Sequence, residues 1–264
     1  NMTNVVVGDI ERAKIVLAAH YDTGVREILP PLLCPTRPAT FLLYQALFPF
    51  LVIAVSFLVS FGVTFALNLP NMTLPLFLLF LIVALFYPKY GKSERDNLND
   101  NTSGVVTLLT LAGSLPPENR KDVCFVLFDL EEAGLIGSSS YQSKHKKETA
   151  RQLVLNLDCV GEGDDLCFFP TAKVKKDKGQ LAQLQRLEGT YGAKTLTVQA
   201  AGFACYPSDQ MNFPRGVGIC ALRRGKAGLY LSRIHTPRDT LLDETNVNTL
   251  CAVLKKLICG CAAQ

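Results

Sequence analysis

"SGVVTLLTLAGSLPPENRKDVCFVLFDLEEAGLIGSSSYQSKHKKETARQLVLNLD", residues 103–158, alternates two kinds of hydrophobic pattern. "SGVVTLLTLAGSL" (103–115) repeats its apolar residues at helical spacing. "DVCFVLFDL" (122–130) is a short unbroken apolar run, the pattern of a strand covered on both faces. "GSSSYQSKHKKETARQ" (137–152) predicts a polar-faced helix, and "LVLNLDCV" (153–160) a second buried strand. The same rhythm extends in both directions. "NVVVGDI" and "AKIVLAAHYD" read as strands before it; "LCFFP", "TLTVQAA" and "GVGICALRR" read as strands after it. "KGQLAQLQRLEGTY" (178–191) predicts a helix among these, and "NVNTLCAVLKKLICGCA" a closing amphipathic helix. Strands alternating with helices define an α/β protein: a three-layer α/β/α sandwich around a mixed, mostly parallel sheet.

Composition supports a folded chain and excludes one function class. Of 264 residues, 48% are hydrophobic, enough for a full core. The 27 basic and 23 acidic residues nearly balance, and no basic run is interleaved with aromatics, so no nucleic-acid partner is expected. The nine cysteines are odd in number and several lie inside strand-like runs, which favours buried free thiols in a reducing compartment. "CGC" (259–261) has no second Cys or Cys/His pair at zinc spacing and reads as a plain tail.

One segment breaks the alternation. Between Arg37 and Lys89 there is no charged residue. "FLVIAVSFLVSFGVTFALNL" (50–69) is long enough, at about 1.5 Å per residue, to cross a bilayer core of about 30 Å. "LPLFLLFLIVALFY" is shorter, and "NLPNMT" between the two reads as a turn. Residues 38–90 are therefore expected to form a hydrophobic helical hairpin inserted into a discontinuous domain of residues 1–37 and 91–264, with a lid or a subunit interface as the other reading. Tyr87, Lys89 and Tyr90 resemble interfacial anchors. Arg26, Arg37, Lys89, Lys92 and Arg95 put basic flanks on the side of the folded domain, which predicts membrane association with that domain on the cytoplasmic side.

Candidate ligands stand where the strand runs end: His20 closes "IVLAAH", Glu131 and Glu132 follow "FVLFDL", and Asp158 closes "LVLNLD". Asp100 precedes the helix at Ser103, and His235 lies in "SRIHTPRDT". The carboxyl ends of strands in open α/β sheets form the ligand crevice, so these distant groups are expected to converge. Two imidazoles with several carboxylates suit a pair of zinc ions. Any one of these residues alone is more commonly structural; two of the three histidines falling in such positions shifts the balance. The third, His145 in "SKHKK", reads as part of a solvated helix face.

"AHYDT", "NDNTSGV", "DLEEAGLIGS", "NLDCVG" and "HTPRDT", in this order, resemble the co-catalytic zinc aminopeptidases of peptidase family 28. The resemblance implies two zinc ions bridged by Asp100, with His20 and Asp158 completing one ligand set and Glu132 and His235 the other. It further implies Glu131 as general base, a role also intelligible for a carboxylate that stands beside metal ligands without being one. Asp22, two residues beyond His20, is placed to orient that imidazole. Asp239 either ties to the His235 loop or forms a turn within "PRDT". "YPSDQMNF" resembles the family's Ser-Asp segment and makes Ser208 and Asp209 substrate-contact candidates, but Gln210 stands where the family has a histidine. "NTS" at 101–103 matches a glycosylation sequon, as does "NMT" at 1 and 71; at Asn101 a glycan would obstruct the expected site.

The resulting expectation is a membrane-associated aminopeptidase acting on peptides, hydrophobic ones in particular. The alternatives are a glutaminyl-cyclase-like acyl transferase and a non-catalytic peptidase-like membrane scaffold. The first departs from the five-ligand set, and the second is expected to lose ligands, none of which is missing here.

Overall fold

The computed structural model describes residues 2–26, 32–86, 93, 95–202, 204–226 and 228–262. The suggested anchors Tyr87, Lys89 and Tyr90, and the basic flanking residue Lys92, lie outside them.

Among the described residues, nine strands form one sheet: β1 (Val5–Val7), β2 (Ile15–His20), β3 (Val123–Phe128), β4 (Leu153–Leu157), β5 (Asp165–Pro170), β6 (Gly189–Tyr191), β7 (Lys194–Val198), β8 (Gly216–Gly225) and β9 (Gly228–Tyr230). Their order is β1-β3-β2-β4-β8-β5-β7-β6, with β9 paired to β8. The pairs β2/β3, β2/β4, β4/β8 and β5/β7 are parallel; β1, β6 and β9 pair antiparallel, as do β5 and β8. The sheet is thus mixed and mostly parallel at its centre, as the alternating pattern predicts.

Its strands read as continuous apolar runs because both faces are covered. On β2, Ile15, Leu17 and Ala19 join a core with Leu108 and Leu111 of α3 (Ser103–Ser114) and with Leu250 and Leu254 of α9 (Glu244–Ala262). Val16 and Ala18 face the other way, against Phe128, Phe213 and Tyr141, the last on α5 (Ile136–Lys144). Each fully buried leucine here contributes about 1.5–3 kcal/mol of burial energy.

Two helices depart from the sequence pattern. The run 137–152 breaks at His145 into α5 and α6 (Lys146–Thr149), and the His145 ring tilts against Tyr141 with centroids 4.7 Å apart, so it is only half-exposed rather than fully solvated. The run 178–191 stops early: α8 covers Lys178–Gln185, and Gly189, with φ of 153°, turns the chain into β6. That φ is open to glycine and strained for other residues. Two short helices, α4 (Pro117–Arg120) and α7 (Ala172–Lys176), were not anticipated.

The apolar segment forms two helices, α1 (Pro38–Ala66) and α2 (Thr73–Phe86), that pack against each other. Their arrangement is inside-out. Ser56, Ser60 and Thr64, one turn apart on α1, are buried, and Thr64 Oγ1 lies 2.9 Å from Thr73 Oγ1 across the hairpin. Phe50, Leu58, Phe65 and Leu74 point outward and are exposed.

Candidate metal centre

His20 ends β2, and its neighbours in the sheet end beside it. β3 passes into Glu131 and Glu132, β4 into Asp158, and the irregular turn Leu98–Thr102 carries Asp100 at the start of α3. His20 Nε2 lies 3.2 Å from Asp100 Oδ1 and 3.6 Å from Asp158 Oδ1. His235 Nε2 lies 3.2 Å from Asp100 Oδ2 and 3.0 Å from Glu132 Oε2. Donor atoms of His20, Asp100 and Asp158 lie within 4.8 Å of one another, as do those of Asp100, Glu132 and His235; Asp100 is common to both groups. A third group of the same kind joins His20, Glu131 and Glu132. The six residues read from the sequence as ligands and base are therefore brought together.

Backbone and side-chain ties hold this cluster. Asp22 Oδ1 lies 3.4 Å from His20 Nδ1, and the same carboxylate accepts the backbone N–H of Glu131 at 3.0 Å and of Glu132 at 3.1 Å. Asp239 accepts from the N–H of Asn99 and Asp100 at 2.7 and 2.9 Å, binding the turn that carries Asp100 to the loop that carries His235. Asn101 donates to the carbonyls of His20 and Leu157 and accepts from the N–H of Gly104 and Cys159. Its amide is buried and occupied, so this sequon belongs to the architecture of the site. Asn99 Oδ1 accepts from Gly161 N at 2.7 Å. The roles of Asn99 and Asn101 were not anticipated; the doubled asparagines around Asp100 were the available signal.

Leu130, Cys159 and His235 adopt left-handed φ values of 55°, 55° and 58°. Non-glycine residues rarely adopt this conformation, and here each is a site residue or adjoins one.

The electrostatics favour a cation. Burial alone would lower the pKa of His20, but Asp100, Asp158 and Asp22 outweigh it and hold the imidazole well above its ordinary value. Both ring nitrogens are buried yet close no hydrogen bond with these carboxylates, despite the short distances. Burial pushes Glu131 well above the usual carboxylate range; Asp158, Glu132 and Asp209 add to this and His20 opposes it. Orphaned imidazole nitrogens facing carboxylate oxygens fit a metal ion of mixed nitrogen and oxygen ligation, the donor set of zinc.

Ser208 and Asp209 are fully buried beneath this cluster. Ser208 Oγ accepts from Asn156 Nδ2 at 2.9 Å. Asp209 closes no hydrogen bond through either oxygen although Ser138 approaches it, and burial pushes its carboxyl up to about 7. Gln210 is a packing residue: its amide bridges Tyr206 O at 2.5 Å and Asn156 at 3.2 Å, and a Cβ on Gly218 would meet its Cδ at 2.7 Å.

Histidines and carboxylates gathered at the carboxyl ends of parallel strands are the arrangement of an α/β metalloenzyme site. The chain belongs to peptidase family M28, whose description matches residues 89–257. No curated protein matches it. Among solved structures it resembles a zinc aminopeptidase from Bacillus subtilis (TM-score 0.53, 17% identity, covering 98% of this chain and 49% of that one). It also resembles a Zn-dependent exopeptidase from Parabacteroides distasonis (0.58, 13%, 97% and 77%). A third match is a glutaminyl cyclase from Porphyromonas gingivalis (0.55, 15%, 98% and 77%). At such identities the likeness is one of fold, and the chain spans about half the length of the Bacillus structure.

Proposed function

We propose that the protein is a membrane-associated zinc aminopeptidase with a two-ion centre. His20 and Asp158 would hold one ion and Glu132 and His235 the other, with Asp100 a ligand common to both sets. The observation carrying this reading is that Asp100 is shared by two ligand clusters, each with one histidine and one further carboxylate.

Zinc bound there would polarise the scissile carbonyl and acidify a water molecule. Glu131 does the proton chemistry. It removes a proton from the attacking water as the water oxygen bonds to the carbonyl carbon, then delivers it to the amine nitrogen as the C–N bond breaks. Burial supports this role by raising the affinity of Glu131 for that proton. Asp22 fixes the His20 ring and, through the N–H groups of Glu131 and Glu132, the turn that presents both glutamates. Of the two substrate-contact candidates, Asp209 retains an unpartnered carboxylate, whereas the Ser208 hydroxyl is engaged by Asn156.

Residues 1–37 and 91–264 form the peptidase domain, and 38–90 a hairpin anchored in a bilayer, with the peptidase on the cytoplasmic side. Within α1, Pro49–Ala66 is long and apolar enough to cross a membrane. Polar hydroxyls turned inward and large apolar side chains turned outward suit lipid as the surrounding solvent. Cys34, Cys124, Cys159, Cys167, Cys205, Cys220, Cys251 and Cys259 are free thiols, in keeping with a reducing compartment. The substrates are peptides, with hydrophobic ones favoured near the membrane.

The test is zinc content by mass spectrometry, together with hydrolysis of aminoacyl fluorogenic substrates and cyclisation of glutaminyl peptides, for wild type and Glu131→Gln. Near two zinc per chain, and hydrolysis lost in the variant while zinc is kept, is the expected result. One zinc with cyclisation would transfer the assignment to an acyl transferase; neither activity would leave a scaffold.

A further inference from the structure

The turn that presents Glu131 and Glu132 runs from the end of β3 to the start of α5. Within it, Gly134 and Leu135 both donate their N–H groups to the carbonyl of Glu131, at 2.9 and 2.8 Å, and Ile136 N donates to Leu130 O at 3.0 Å. Leu130 and Leu135 both have left-handed φ, 55° and 60°. Leucine rarely adopts that conformation, which persists only where the surroundings fix it. Asp22 holds the middle of the turn, and Asn212 Nδ2 holds the later part, donating to Leu135 O at 3.2 Å and to Ser138 Oγ at 2.7 Å.

The side chain of Asn4, just before β1, reaches both ends at once. Its Oδ1 accepts from Asp129 N at 3.0 Å, and its Nδ2 donates to Gly137 O at 2.9 Å. The approach is close: a Cβ on Gly137 would collide with Asp129 O and lie 2.7 Å from Asn4 Oδ1. Thr3 adds to the tie, because its N–H donates to Asp129 Oδ2 at 2.8 Å while the other oxygen of that carboxylate accepts from Leu130 N at 3.0 Å. Tyr21, the residue after His20, donates its hydroxyl to Thr3 O at 2.7 Å. The pairing of β1 with β3 is made by the backbone of Val5–Val7, so the Asn4 amide is not needed to hold the strand.

We propose that Asn4 is a positioning residue for the proton-transfer step: by pinning both ends of the turn, it fixes where the Glu131 carboxylate stands beside the two ligand sets. The proposal rests on the aminopeptidase reading above. Asn4 supplies no donor to any of the three ligand clusters and acts through Asp129, Leu130 and the turn. Small displacements matter there, since a reacting group misplaced by about 1 Å can lose about 100-fold in rate.

The test compares wild type, Asn4→Ala, Asn4→Asp and Val6→Thr as the full chain in detergent at saturating zinc. Val6 lies on the same strand, opposite Val126, and its side chain is exposed. For Asn4→Ala, kcat on an aminoacyl fluorogenic substrate, counted per zinc-loaded folded chain, should fall about 10- to 100-fold with KM within about twofold. Amide hydrogen exchange over residues 129–137 should speed up about tenfold, the effect of losing one or two hydrogen bonds, while β2 and β4 exchange as in wild type. Asn4→Asp keeps the acceptor for Asp129 N–H and loses only the donor to Gly137 O, so it should fall between wild type and Asn4→Ala; Val6→Thr should match wild type throughout. An unchanged kcat in Asn4→Ala, or a loss accounted for by less zinc or less folded protein, would overturn the role. An equal loss in Val6→Thr would assign the effect to the edge strand and overturn it too. A wild type that binds zinc but hydrolyses no aminoacyl substrate would overturn the aminopeptidase reading instead, and exchange over 129–137 left unchanged by Asn4→Ala would then overturn the tie as well.

Discussion

Replacing Asp22 by asparagine tests the geometry of the centre without touching an expected metal ligand. The carboxylate lies 3.4 Å from His20 Nδ1 and accepts from the N–H of Glu131 at 3.0 Å and of Glu132 at 3.1 Å, one oxygen to each. In Asp22→Asn one of those oxygens becomes an NH2 group. Whichever way the amide turns, one backbone N–H loses its acceptor and faces a donor, and the negative charge beside His20 is gone. A hydrogen bond to a charged acceptor contributes about 1.5–3 kcal/mol, so the turn presenting Glu131 and Glu132 shifts or frays. Residues that orient a metal-binding histidine typically change metal affinity or activity by about 10- to 100-fold when altered. Both zinc affinity, from competition with a chromophoric chelator, and kcat/KM on an aminoacyl fluorogenic substrate should fall within that range. The circular dichroism of the sheet should stay as in wild type. A change smaller than about twofold in both quantities would refute the reasoning, because it would mean that neither the turn nor the imidazole depends on this carboxylate.

A Cβ on Gly24 would lie 2.8 Å from Glu132 Oε1 and 3.0 Å from Oε2, so Gly24→Ala must displace that carboxylate; weaker zinc binding with an unchanged melting temperature is expected, read by the same chelator competition. Gln210→Ala removes the bridge between Tyr206 and Asn156 and should destabilise the fold by about 1–3 kcal/mol. It should appear as a melting-temperature drop of about 2–4 °C per kcal/mol, with activity per folded molecule retained. Stripping metal with a chelator leaves the carboxylates of Asp22, Asp100, Glu131, Glu132, Asp158 and Asp209 gathered around two imidazoles. Activity should be lost and the melting temperature should fall, with both restored by added zinc; at about 100 times Kd, bound metal adds about 2.7 kcal/mol of stability.

Much of this was legible in the sequence because the signals were of two robust kinds. Strands buried on both faces write themselves as unbroken runs such as "IVLAAH" and "VCFVLF", and the residues that end those runs were the ones found converging. What escaped had no such periodic signature. α7 has one buried residue, Val174, too little for a pattern, and β6 depends on the backbone freedom of Gly189. Gln210 read as a departure at the substrate pocket, yet its side chain is committed to Tyr206 and Asn156, a pairing between residues distant in sequence. Asp239 left two readings open, and only the fold shows it bonded to the turn that carries Asp100. Nor does a run of apolar letters reveal that Ser60 and Thr64 face inward while Leu58 and Phe65 face out.

The strand order has a consequence for the timing of synthesis. β1 pairs with β3, and β2 pairs with β3 and β4, so both strands ahead of the hairpin have partners that lie after it in the chain. While a ribosome adds about 5–20 residues per second, β1 and β2 wait for β3 and β4 until the apolar helices have emerged. The pairs β1/β3, β2/β3 and β2/β4 can therefore close only once both apolar helices have been made, and His20 joins Asp100 and Asp158 only afterwards.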